Sequence, residues 1–136
     1  MRITGAQVFD LQEGFVQRDI CFDGRLLSGS SADGKTYDAS GCYVIPGLTD
    51  VHFHGCMGRD FSDAEPEGLE IMAQYELSRG VTQICPAGMT LTDEHPTKIC
   101  QVAAAHRAAD NPGAALCGTT LAGPLLSMTK TGAPNG

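Results

Sequence analysis

The chain has 136 residues, 42% of them apolar and 18% charged, with a formal net charge of −7. That length is ordinarily one domain, and that composition buries a core instead of giving a disordered tail. An acidic chain without Lys/Arg runs is ill suited to nucleic acid or an anionic membrane, and no apolar run nears the ~20 residues of a membrane span, so neither partner is expected.

Met1-Arg2-Ile3-Thr4-Gly5-Ala6-Gln7 has no apolar signal core, which predicts a cytoplasmic protein. Residues 1 to about 45 read as strands. Residues 2–9 are a short mixed run, and residues 14–22 alternate in part through Phe15, Ile20 and Phe22. Asp23-Gly24 is a tight-turn pair that should close a hairpin onto Arg25-Leu26-Leu27. Residues 29–34 are small and polar, a loop. A turn at Asp38-Ala39-Ser40-Gly41 leads into Cys42-Tyr43-Val44-Ile45. Residues 1–46 are thus expected to form a small β module, too small alone for a robust core.

The rhythm changes in residues 47–136 to strand, helix, strand, helix, strand. Residues 50–54 are the first strand. Ser62 or Asp63 can cap a helix, with Glu65 and Glu67 near its positive end. Leu69, Met72, Ala73 and Leu77 form its inner stripe, and Arg79-Gly80 stops it. Residues 81–85 are a short apolar strand. Thr92 can cap a second helix whose inner stripe is Ile99, Val102, Ala103 and His106. Asn111-Pro112-Gly113 ends it, and residues 114–121 are the third strand. Such alternation means a parallel sheet, either an open doubly wound one or a barrel. Neither G-x-G-x-x-G nor a P-loop is present, which disfavours a nucleotide-binding open sheet.

The chemistry concentrates between Val44 and Gly58. An apolar run turns at Pro46-Gly47 and delivers His52 and His54 two residues apart. In a strand, such side chains leave the same face. Histidine is the commonest metal ligand, so a divalent metal could sit between them. The six cysteines, Cys21, Cys42, Cys56, Cys85, Cys100 and Cys117, include no C-x-x-C pair. Several lie among apolar residues, which predicts reduced, buried thiols in preference to disulfides.

Pro46-Gly47-Leu48-Thr49-Asp50-Val51-His52-Phe53-His54-Gly55 resembles the opening strand of the amidohydrolase superfamily. Residues 54–64, residues 78–92 and Leu121-Ala122-Gly123-Pro124-Leu125-Leu126-Ser127 narrow the resemblance to the N-acetylglucosamine-6-phosphate deacetylases. It selects the barrel. Residues 1–46 become part of a small β-sandwich domain and residues 47–136 the first three β/α units of an incomplete (β/α)8 TIM barrel. The resemblance implies hydrolysis of the acetamide of N-acetylglucosamine 6-phosphate to glucosamine 6-phosphate and acetate. It implies one divalent metal ion, zinc, iron or similar, held by His52 and His54, and a phosphorylated amino sugar as partner. It admits a homo-oligomer of the full-length enzyme.

Three departures qualify that reading. Where the family has a glutamate ligand in L-E-G-P, this chain has Ala122. Where the family follows Gly-Ala with His or Gln, Pro134 follows Ala133, the residue matching a substrate contact. A barrel needs roughly 250 residues, so the chain is expected to be an N-terminal fragment, inactive alone, with the general-base aspartate beyond Gly136. The alternatives are a non-catalytic remnant and an amidohydrolase with another amide substrate. Of the remaining residues, His95 reads as a solvated first-turn residue and His106 as partly buried packing. Met57 and Cys56 read as packing, and Lys130 as a solvated loop lysine. Asp50 is either a partner that orients a histidine or a polar strand-end residue.

Overall fold

The computed structural model describes residues 1–23, 26–29, 34–89, 94–109 and 111–123. They fall into two compact units, Met1–Pro46 and Gly47–Gly136.

The first unit contains β1 (Arg2–Thr4), β2 (Gln7–Asp10), β3 (Gly14–Gln17), β4 (Ile20–Asp23), β5 (Leu26–Ser28), β6 (Thr36–Asp38) and β7 (Tyr43–Val44). They make two sheets, of order β5-β4-β1-β6 and β3-β2-β7. The run over residues 2–9 breaks at Gly5, whose φ is +77 and whose Cβ would stand 2.4 Å from Ser40 Oγ. The run over residues 14–22 breaks between Gln17 and Ile20. Each break sends the chain from one sheet into the other. Asp19 holds both breaks: Arg2 donates to its Oδ2 at 2.6 Å and the Gly5 N–H to its Oδ1 at 3.3 Å. These contacts hold the Asp19 carboxyl below the usual carboxylate range. The expected hairpin forms, with Asp23 opposite Leu26 and Phe22 opposite Leu27. Gly24 and Arg25 lie outside the described residues. The core is small: Ala6, Val8 and Ala39, with Ile3, Ile20 and Val44 packed against it.

The second unit contains β8 (Leu48–Phe53), β9 (Gly55–Cys56), β10 (Arg59–Asp60), a 3₁₀ turn (Phe61–Asp63), α1 (Pro66–Ser78), β11 (Val81–Met89), α2 (His95–Ala108), β12 (Ala115–Leu116) and β13 (Thr120–Ala122). β8, β12 and β13 all pair with β11 in parallel. Parallel pairs need crossovers, and α1 and α2 supply them. The core lies between helices and sheet. It holds Phe61, Leu69, Met72, Ala73, Ile84, Ile99, Ala103, Ala114 and Leu116, with Phe53 and Leu121 packed against it. The helical stripes hold except at Leu77, which is 40% exposed. Among the described residues no helix is long and apolar enough to cross a membrane.

Three expectations are corrected. The first helix starts at Pro66, whose missing N–H is no loss in a first turn. Ser62 and Asp63 belong to the preceding 3₁₀ turn, which Asp60 caps, and Ala64 at φ 52 separates the two. The second strand does not stop before Pro86 but runs on to Met89. Pro86 lies where the pairing with β8 is irregular, and there a missing ladder donor is tolerated. The third strand is two short pieces, β12 and β13, parted at residues 117–119. The proposed Thr92 cap lies outside the described residues.

All six cysteines are free but none is buried: Cys42, Cys100 and Cys117 are exposed and the others half-buried. Apolar neighbours in sequence are not neighbours on one face. Cys85 sits between Ile84 and Pro86, both buried, and strand alternation turns it the other way.

Candidate functional site

The site is built at the end of β8. Asp50 pairs with Ile84 and Phe53 with Pro86, so three residues of β8 oppose two of β11. That is a β-bulge, a device that re-aims side chains next to functional sites. Phe53 packs against the helix-side core. His52 and His54, on either side of it, share the opposite face. Their ring centroids are 5.2 Å apart and their planes meet at 89°. His52 is exposed and His54 half-buried. His54 Nδ1 is buried without a hydrogen-bond partner, a costly state for an imidazole nitrogen unless something meets it.

Asp50 accepts the His52 backbone N–H at 2.9 Å. It therefore grips the backbone of the bulge, not an imidazole. Gly55 follows His54, where a Cβ would stand 2.1 Å from the Arg59 carbonyl oxygen. β9 and β10 pair as a hairpin, with Met57 at φ 54 and Gly58 at φ 71 between them. Met57 is thus 62% exposed at a hairpin tip, not packed as its sequence context suggests. Cys56 does pack against the core, and burial pushes its thiol up, with the Glu76 charge adding to the shift. Burial and the Asp50 charge push the Glu76 carboxyl up in turn.

Ala122 lies at the end of β13, paired with Met89 at the end of β11. Because β8, β11 and β13 run parallel, the histidines and position 122 stand at the same, C-terminal end of the sheet. Among the described residues, no group of three or more His, Cys, Asp or Glu could hold a metal ion. Ala133, Lys130 and Pro134 lie outside the described residues.

The other two histidines lie on α2. His95 is not solvated, as its first-turn position suggests: its Nε2 meets the Ser62 carbonyl oxygen. Such a contact requires the ring nitrogen to donate. His106 is packing, as expected, its side chain 7% exposed and its Nδ1 3.7 Å from Glu70 Oε2. Burial lowers the His106 pKa against an opposing pull from Glu70. As pH falls through histidine's ordinary value of about 6.5, the unfolded chain therefore binds more protons than the folded one. The stability this neutral histidine contributes is full above that pH and is lost below it. Urea midpoints should fall more steeply between about pH 7.5 and about pH 5.5 for the parent than for His106→Gln. Parallel falls would contradict this.

Sequence reasoning missed the bulge, which depends on pairing with a distant strand. It also missed Asp60, whose Asp60-Phe61-Ser62-Asp63 spacing is a capping-box pattern and carried the signal.

No family model matches the chain. It is similar to the N-acetylglucosamine-6-phosphate deacetylase of Bos taurus, 35% identical over 99 residues, covering 71% of this chain and 24% of that one. The protein of that name from Bacillus subtilis is 35% identical over 96 residues, covering 66% and 24%. The crystal structure of the deacetylase from Pasteurella multocida superposes with a TM-score of 0.83 at 23% identity, over 98% of this chain and 37% of that one. The structure from Thermotoga maritima gives 0.77 at 23% identity, over 99% and 35%. At that identity the two structures speak for the fold. This chain spans about a quarter of the length of the curated relatives it matches, and along that quarter it is a homologue of the N-acetylglucosamine-6-phosphate deacetylases.

Proposed function

We propose that the chain is the N-terminal part of a metal-dependent hydrolase that converts N-acetylglucosamine 6-phosphate to glucosamine 6-phosphate and acetate in the cytoplasm. The paired imidazoles carry this reading. Two imidazoles on one tetrahedral ion, each nitrogen about 2.0–2.1 Å from it, have ring centroids about 5 Å apart. His52 and His54 stand at 5.2 Å, and the buried Nδ1 of His54 has no hydrogen-bond partner. The residues therefore fit a divalent ion such as zinc or iron, with His52 and His54 as ligands. Such an ion supplies a water of lowered pKa and polarises the amide carbonyl.

The chain's own part is to fix the two rings. The Asp50 carboxylate holds the bulge, and Gly55 allows the sharp exit after His54. Residues 47–136 read as the first three β/α units of a (β/α)8 barrel, and residues 1–46 as part of a β-sandwich. The parallel pairing around β11 is what either an open sheet or a barrel needs; the resemblance favours the barrel, and barrels keep their chemistry at C-terminal strand ends. No residue of this chain is assigned the general base. Ala133 is kept as a substrate contact on the resemblance alone.

Ala122 favours a second reading, a non-catalytic relative, because a methyl group binds no metal. The test is acetate release from N-acetylglucosamine 6-phosphate. Metal-loaded chain alone should show none above a metal-only control. A full-length chimaera completed with a relative's remaining residues and carrying Ala122→Glu should turn over. A folded chimaera of that kind without turnover would favour the second reading.

A further inference from the structure

We propose that Asp60, Ser62 and His95 are positioning residues for the His52–His54 pair, forming a brace that ties the segment after His54 to the end of β11 and the start of α2. The inference rests on the metal-site reading above and names what holds that site in place.

The brace runs through consecutive contacts. The His54 carbonyl accepts the Phe61 N–H at 2.8 Å. Phe61 is 2% exposed and lies in the core, so this bond anchors the backbone of His54 to a fixed point. The 3₁₀ turn that carries Phe61 is held by Asp60, whose Oδ1 accepts the Ser62 N–H at 2.7 Å. The Asp60 N–H donates back to Asp63 Oδ2 at 3.3 Å. Ser62 is 6% exposed, the one buried polar residue among those described. Its two oxygens face two different elements. Oγ accepts the Met89 N–H at 2.9 Å, at the end of β11, and the carbonyl oxygen meets His95 Nε2, at the start of α2. Met89 is in turn the register partner of Ala122. One serine thus links the histidine loop to the strand end beside position 122.

A buried serine with both oxygens used by other elements does more than fill space. Losing the Asp60 cap frees the turn, and losing the His95 donor leaves a buried carbonyl unpaired. Either loss should let Phe61 and the His54 backbone shift, and the imidazoles part. Residues that orient ligands from behind commonly govern about 10–100-fold in metal affinity.

The experiment follows the imidazole signals of the 136-residue chain by long-range proton–nitrogen NMR, with and without Zn²⁺. The variants are Asp60→Ala, Asp60→Asn, His95→Leu and His95→Gln, each checked for a folded amide spectrum. The ring–ring Overhauser contact between His52 and His54 should vanish in Asp60→Ala and in His95→Leu. Zn²⁺ binding at the pair should weaken at least about tenfold in both. Asparagine keeps the acceptor and glutamine keeps a donor, so both should restore the contact. The two disruptive variants cut the brace at opposite ends, and either one that folds decides. Persistence of the contact in a folded Asp60→Ala or His95→Leu overturns the proposal. If Zn²⁺ moves neither histidine in the parent while the contact is still lost in the variants, the brace stands and the metal-site reading falls.

Discussion

Ala122→Glu in a full-length chimaera is expected to raise metal occupancy and acetate release together, by at least about tenfold. Position 122 is at the end of β13, opposite Met89 and at the same end of the parallel sheet as His52 and His54. With alanine there, the two imidazoles bring no negative charge to a divalent ion. Water can fill a coordination position but offsets no charge and is not held in place. A glutamate supplies both the charge and a fixed oxygen. Loss of a supporting partner behind a ligand already costs about 10–100-fold, so gain of a direct ligand should be worth at least as much. Metal content by elemental analysis, beside acetate release, checks this on the parent chimaera and on its Ala122→Glu variant. Unchanged values of both in a folded chimaera would mean that β13 carries no ligand, and that the alignment of Leu121-Ala122-Gly123-Pro124 to the family motif is wrong.

What could be read in advance was what depends on local periodicity. Leu69, Met72 and Ala73 point inward from α1, and Ile99 and Ala103 from α2, because an apolar stripe at helical spacing has one place to go. The hairpin across Asp23 and Leu26 follows from its turn residues. The proximity of His52 and His54 follows from strand alternation. What escaped depends on partners far along the chain. The bulge ahead of His52 exists only in register with β11. Pro86 looks like a strand terminator until its irregular pairing with β8 is known. Gly5 looks like part of a strand until Ser40 is found against it. His95 looks like a surface residue until Ser62 comes to meet it. Within the site, the closeness of His52 and His54 was legible but the contacts around Ser62 were not, because Asp60, Ser62 and His95 bond to backbone groups of residues that their own identities do not name.

Removing either imidazole should abolish the pair's metal binding, and that effect bears on the central claim. One histidine and water make a poor site, whereas two rings already 5.2 Å apart lose little freedom on binding. The chain has four histidines, so single substitutions assign every imidazole signal. This also separates the site from the exposed thiols of Cys42, Cys100 and Cys117, which can bind zinc elsewhere. The measurement is a Zn²⁺ titration of the 136-residue chain, following the ring nitrogens of His52, His54, His95 and His106. The account predicts that His52 and His54 shift together and saturate at one ion. His95 and His106 should stay still, and His54→Ala should release His52 from the response. Zinc that leaves His52 and His54 unmoved, or that moves His52 equally well in His54→Ala, would contradict it.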